Sequence, residues 1–435
     1  MTLIRRFMAA ALAAACALAA TAAAAQLSAA EERLVAAVKA RSPEALRLLE
    51  RTVRINSGTL NPAGVRATGE AYRAELESLG FTARWVEMPE SMRRAGHLVA
   101  TREGNRGQRL LLMGHLDTVF EKESAVAAWD PRGERVRGQG VADMKGGIVV
   151  MLEALRALHA VGALEGARIQ VILTGDEERV GRPAYEARAE LVALAKASDA
   201  ALSFEATSRV GEGHGASISR RSSGGWTLRV AARPGHAARV FTSELGYGAI
   251  FEGARILEAF RTQVPEPGVT LSPGLALGGT EVAFNRFNAT GTAAGKNNVI
   301  AKDFVATGNL RFLTADQGER AKQRMQAIVA ASLPHAKASI TFSDNYPPMP
   351  ETEGGRKLLA AYSQASRDAG LGTIEASDPE ERGAGDISFA APYVAGIDGL
   401  GVVGWGSHTD EEEMEAASLE RGAIRAAILI YRLTR

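Results

Sequence analysis

The chain has 435 residues, more than one ordinary hydrophobic core accommodates, so two domains are expected. Its composition, 46% hydrophobic and 23% charged, is that of a soluble globular protein. A formal charge of +1 leaves no basic excess, which argues against nucleic acid as a partner, and a short pair such as Arg220-Arg221 does not alter that.

Taken in chain order, Arg5 and Arg6 precede an apolar run from Phe7 to Ala20, followed by small residues to Ala25. That layout predicts a secretory signal peptide over residues 1–25, cut before Gln26, rather than a retained membrane anchor, for which the run is short and Ala-rich. The chain is therefore expected to be exported, periplasmic or secreted, with no stable membrane insertion. Its one cysteine, Cys16, falls inside the signal, so disulfides, a thiol nucleophile and Cys-ligated metal are excluded from the mature chain. Export also favours hydrolysis over chemistry that needs a cytosolic redox cofactor.

Helical periodicity runs from Ser28 to Ser57 and again from Ala67 to Leu79. Short apolar strands then alternate with helices: strand Leu110–Leu116, helix Gly146–Val161, strand Arg168–Leu173, helix Tyr185–Ala197, strand Ala200–Phe204. This alternation predicts an α/β layer with a mostly parallel central sheet flanked by helices. The glycine-rich stretch Gly211–Gly215 reads as a hinge. Beyond it, strands are expected at Trp226–Ala232, Val269–Leu277, Thr280–Phe287 and Phe304–Phe312, with helices at Gly248–Phe260 and Gln317–Ala331, the pattern of an inserted α+β domain. A helix at Gly355–Ala369, an apolar run Leu400–Val403 and a closing helix Ala417–Leu433 return to the first pattern.

Four polar clusters follow predicted strands or open helices, where open α/β sheets place ligands. His115 and Asp117, two apart at a strand end, suit an imidazole metal ligand oriented by a carboxylate, although a lone His-x-Asp is also a common structural pair. Asp143, in the glycine-flanked run Gly138–Gly147, is either a helix N-cap or a carboxylate able to approach two cations. Asp176-Glu177-Glu178 is either a solvated turn or an acidic site in which one glutamate binds metal and another works as base. Glu205 and His408 are each ordinary by themselves. Together, two histidines and three carboxylates at strand ends of one sheet are the donor types for a pair of borderline divalent ions.

In order, HLDTV, GQGVADMKGG, GDEE, SFE and SHTDEE resemble the aminoacylase and bacterial glutamate carboxypeptidase family of dinuclear zinc peptidases, over almost all of the mature chain. The resemblance implies two zinc ions, with cobalt or manganese as alternatives. His115 and Glu205 would complete one site, Glu178 and His408 the other, and Asp143 would bridge them through a segment whose Asp143-Met144 peptide is a candidate cis bond. Glu177 would be the general base, acting on a water shared by the metals, and Asp117 would orient His115.

The resemblance also implies a catalytic domain over 26–215 and 329–435 and a lid and dimerisation domain over 216–328. From the lid, His236 would reach a neighbouring subunit's site, and Asn298 and Arg311 would grip the substrate carboxylate, while Gly385 lines the substrate pocket. Alanine at position 301 replaces the family's proline, and the stretch Phe342–Pro347 lacks an arginine found in the glutamate carboxypeptidases. The expected reaction is release of a C-terminal amino acid from a small peptide or N-acyl amino acid by a homodimer. An N-acyl-amino-acid deacylase or dipeptidase is the alternative, and a catalytically inactive binding protein is the alternative from another class.

Overall fold

Leu110, Leu111, Leu112 and Met113 are all buried, yet they alternate between two separate hydrophobic cores. Side chains along a strand point to opposite faces, so a run this apolar belongs to a strand covered on both sides. The strand is Arg106–His115, inside a six-stranded sheet with the order Thr82–Val86, His97–Arg102, Ala167–Thr174, Arg106–His115, Ala200–Ser203, Gly396–Ile397. The computed structural model describes residues 27–126, 128–210, 213–285 and 289–435. The expected signal peptide and Cys16 lie outside the described residues.

The last four strands of that order run parallel and the first two antiparallel to their neighbours, so the sheet is mixed, with an antiparallel edge. Helices Ala29–Val53, Gly146–Ala160 and Ala416–Leu433 pack together on one face. Residues of Ala189–Lys196 and Ile387–Ala390 join the core on the other face. The second helix starts at Pro62, five residues before its expected start. Asn61 caps it by accepting from the Gly64 N–H, and proline at the first position has no N–H to leave unsatisfied. The expected helix Tyr185–Ala197 is broken at Arg188, whose side chain is drawn into the interior by two carboxylates.

A second unit is built on a four-stranded antiparallel sheet ordered Thr270–Gly279, Asp303–Arg311, Ser223–Ala232, Ala336–Tyr346. Helices Ala249–Gln263 and Ala315–Ala330 share its core, where Trp226 meets Phe260 edge-on at 5.6 Å. Strand Ala336–Tyr346 pairs along Ser223–Ala232, whereas the resemblance implies that residues from 329 onward belong to the first unit. Its half-buried alternation carries little signal without its partner strand. Gly213–Gly215, expected as part of a hinge, lies in strand Gly213–Ala216, which pairs with Ile374–Ala376. The expected strand from Thr280 is Glu281–Asn285, and residues 286–288 lie outside the described residues. Among the described residues no helix is long and apolar enough to cross a membrane.

Candidate metal centre

Three adjacent parallel strands end at the same edge of the sheet, and each delivers a carboxylate or imidazole there. His115 is the last residue of Arg106–His115, Glu177 and Glu178 follow Ala167–Thr174, and Glu205 follows Ala200–Ser203. Asp143 sits in the wide turn Val141–Lys145 that leads into helix Gly146–Ala160, and its peptide to Met144 is cis. The helix begins beyond Asp143 and takes no side-chain cap, so the N-cap reading of this residue does not hold. His408 comes from elsewhere. It lies between the short strands Gly404–Trp405 and Glu413–Glu415 of a separate small sheet, at a positive φ of 67°, which corrects the expectation that every cluster ends a strand of the one sheet.

These residues form two triads that share Asp143. His115, Asp143 and Glu205 make one, and Asp143, Glu178 and His408 the other, with donor atoms within 4.8 Å of one another in each. His115 Nε2 is 3.1 Å from Asp143 Oδ1 and 3.4 Å from Glu205 Oε1. His408 Nε2 is 3.2 Å from Asp143 Oδ2 and 3.1 Å from Glu178 Oε2. Asp143 thus turns one oxygen to each imidazole. Donors on a tetrahedral zinc about 2.1 Å away would stand roughly 3.4 Å apart, so the spacing and the nitrogen and oxygen donor set fit a pair of such ions. The other oxygen of Glu178 is buried with no hydrogen-bond partner, as a ligand atom would be.

The cage is crowded with charge. Burial pushes Glu178 up to about 7, with the charge of Asp143 adding to the effect. Burial also raises Glu205, and it raises Glu177 well above the carboxylate range. Hydrogen bonds to Asp143 and Glu178 push His408 up to about 11. For His115, burial opposes the charged form, but Glu205, Asp117 and Asp143 outweigh it and raise the ring well above its usual value. Burial would likewise raise Asp143, yet its bonds to His115 and His408 hold it well below its usual range. Bound protons therefore supply positive charge here that divalent ions could supply instead.

Asp117 is fully buried and lies behind the cage. Its carboxylate accepts from the Thr59 hydroxyl at 2.6 Å and from the backbone N–H groups of Glu177 and Glu178 at 2.9 and 3.1 Å, while its carbonyl meets His115 Nδ1 at 3.0 Å. Asp176, the third acid of its cluster, turns away from the cage to pair with buried Arg188 at 2.6 Å. Glu177 lines a cleft of about 230 Å³ with Asp143, Glu205, Arg220, Arg382 and His408. A roomier crevice of about 760 Å³ opens between the two units; the hydroxyl of Tyr346, on its wall, donates to the Glu177 carbonyl.

The structure keeps His236, Asn298 and Arg311 out of that cleft. His236 is exposed on the second unit beside the equally exposed Asn298, with the Ala237 N–H donating to the Asn298 carbonyl. Arg311 is half-buried at the end of its strand, its charged form disfavoured by burial and then by Arg221. Gly385 is buried, and a Cβ there would stand 3.5 Å from the Arg220 guanidinium.

Several residues at the site escaped the sequence reading. Glu412 is fully buried and accepts from the Ala142 and Asp143 N–H groups at 2.9 and 3.0 Å, but in the run Asp410–Glu413 it reads as one solvated acid among four. Thr59 and Arg382 had no distinguishing pattern. Arg220, one of the basic pair Arg220-Arg221, is buried against Asp398 at 2.5 Å.

The chain is 29% identical over 410 residues to carboxypeptidase G2 of Pseudomonas sp. (strain RS-16), covering 92% of each chain. It is also 29% identical over 264 residues to succinyl-diaminopimelate desuccinylase of Rhodospirillum centenum, covering 58% of this chain and 67% of that one. Its fold is similar to that of a tripeptidase from Staphylococcus aureus, with a TM-score of 0.69 at 18% identity over 91% of this chain and 99% of the other. The model of peptidase family M20/M25/M40 matches residues 111–432, and the chain belongs to that family.

Proposed function

We propose that this protein is a two-metal exopeptidase of carboxypeptidase type, which cleaves an amide bond next to a free carboxylate and releases a C-terminal amino acid from a small peptide or N-acyl amino acid. One observation carries the reading: two ligand triads share Asp143, one oxygen to each, with Glu177 half-buried in the same cleft. Zinc is the favoured ion, with cobalt or manganese as alternatives for the same donors.

When bound, such ions acidify a water and polarise the amide carbonyl. The chain's own groups do the rest. Glu177 takes the proton of the attacking water at its carboxylate and hands it to the departing amide nitrogen. Asp117 holds the His115 ring and, through the Glu177 and Glu178 N–H groups, the backbone of both glutamates. Burial excludes water from His115 and Asp117, which strengthens each of these contacts.

The second unit is proposed as a lid that offers Asn298 and Arg311 to the substrate carboxylate, while Gly385 lines the pocket. Phe241, Tyr247, Ile250 and Phe251 are exposed together there, with the Phe241 ring tilted against both other rings at centroid distances of 5.4 and 5.5 Å, which supports a homodimer in which His236 serves the partner's site. Export after cleavage at residue 25 completes the proposal.

The test is release of free amino acid from a panel of N-acyl amino acids and dipeptides, before and after chelation and with zinc, cobalt or manganese restored. Loss and metal-dependent recovery of turnover are expected. Two bound metals without turnover on any substrate would leave the binding-protein alternative standing. Similarity to the desuccinylases favours N-acyl amino acids as a second substrate reading, and the same panel separates it from peptide cleavage.

A further inference from the structure

Glu177 is held through its main chain from two directions. Its N–H donates to the Asp117 carboxylate at 2.9 Å, and its carbonyl accepts from the Tyr346 hydroxyl at 2.6 Å. Asp117 follows strand Arg106–His115 of the first unit, whereas Tyr346 is the last residue of strand Ala336–Tyr346 of the second. The Glu177 side chain is half-buried and outside both ligand triads, so bound ions would not fix it. Where its carboxylate stands is therefore set by the backbone that carries it.

Tyr346 is built as a joint between the units. Its backbone pairs with Ser223 at the end of the four-stranded sheet, while its ring is buried in a core beneath the six-stranded sheet with Met113 and Ile172. The ring stands edge-on to Phe389 at 5.3 Å. A ring packed into a core has a fixed direction, so its hydroxyl is delivered to the Glu177 carbonyl from one side. The two residues before it reinforce the joint. Arg182, in the turn that follows the glutamates, donates to the Asp344 carbonyl at 3.3 Å and to the Asn345 side-chain oxygen. Three contacts thus bring the end of a second-unit strand onto the turn that carries the base. Packing alone is the plain alternative for Tyr346. Phenylalanine would fill the same space but lack the donor to Glu177, so experiment can separate the two roles.

We propose that Tyr346 is a positioning residue for the general base: through its hydroxyl the second unit holds the Glu177 main chain and sets the reach of the Glu177 carboxylate into the metal cleft. The proposal rests on the amide-hydrolase reading, in which Glu177 is the base. It gives the second unit a part in the proton transfer beyond covering the cleft and gripping substrate. Misplacing a reacting group by about 1 Å can cost roughly 10²-fold in rate, so a loosened Glu177 turn shows in turnover rather than in substrate affinity.

The test is a double-mutant cycle on the zinc-loaded protein, with Tyr346→Phe, Glu177→Gln and the two combined, on whichever substrate of the panel turns over fastest. Tyr346→Phe should lower kcat by about 10- to 100-fold, with KM within about twofold of wild type and metal content unchanged by elemental analysis. In the Glu177→Gln background the same change should cost less than about twofold, because residues that act as a unit are not additive. A loss of equal size in both backgrounds, a loss carried by KM, or a normal kcat in Tyr346→Phe would overturn the positioning role and leave the hydrolase reading intact. Near-normal kcat in Glu177→Gln, or no turnover of any panel substrate by the wild type, would strike the base assignment and the positioning role with it. Amide hydrogen exchange, followed by mass spectrometry over residues 174–182, needs no turnover: Tyr346→Phe should speed it there, and unchanged exchange would refute the proposal.

Discussion

At the scale of single residues, Glu177 and Asp117 do different work, and their variants should fail in different ways. Glu177 is outside both ligand triads, so Glu177→Ala should lower kcat by about 10²–10⁴-fold, the range of general acid–base catalysis, while metal content by elemental analysis stays the same. Near-normal turnover in that variant would remove Glu177 from the role of base. Asp117 is fully buried and lies outside both triads. Its carboxylate accepts from three donors, and an amide in its place would turn an NH₂ group toward some of them. Asp117→Asn should therefore weaken metal binding by roughly 10–100-fold in a competition titration against a chelator, as such supporting partners typically do. Unchanged affinity would make Asp117 a packing residue only.

At the scale of elements, the His408 loop and the Asp143 turn are far apart in sequence, and a second side chain joins them besides the His408–Asp143 pair. The buried Glu412 carboxylate accepts from two N–H groups of the Asp143 turn, and the Gly138 N–H donates to its carbonyl. Glu412→Ala leaves two buried donors without acceptors, at a cost of about 1–3 kcal/mol each. Neighbouring Glu411 is exposed and among the described residues forms an ion pair with Arg137 at the surface, so Glu411→Ala should stay within about 0.5 kcal/mol of wild type. Denaturant unfolding of the two variants makes the comparison; similar losses would show that the loop is not held through Glu412.

The whole molecule should respond to pH through the cage. In the metal-free protein Glu178 moves from 4.5 to about 7 on folding, so the folded state binds more protons and stability declines as pH rises through that window. His408, raised to about 11, contributes stability that is complete below its unfolded value of 6.5 and is lost as pH climbs toward 11. Both act in the same direction. Chelated protein should melt higher at about pH 5.5 than at about pH 8.5, and the increase in Tm on adding zinc should be larger at the higher pH, because metal competes with those protons. A zinc increment that shrinks with pH would contradict the cage. The proposed dimer is tested by light scattering: Phe241→Ser with Phe251→Ser should yield monomers, and unchanged mass would place any partner elsewhere.

Sequence alone determined the α/β class, the change to an α+β pattern in the second unit and the kinds of donor at the site, because these are local properties. Strand alternation and helical period are written in neighbouring residues, and HLDTV or GDEE carries its imidazole and carboxylates within a few positions. Tertiary structure decided what no window of sequence contains. It turned Asp176 away to Arg188 and Glu178 toward His408, although both acids belong to one cluster. It drew Ala336–Tyr346 into the second sheet and buried Glu412 out of an acidic run that looks solvated. In each case the deciding partner lies many residues away in the chain, and the energy of burying a charge or pairing a strand exists only once that partner has been brought alongside.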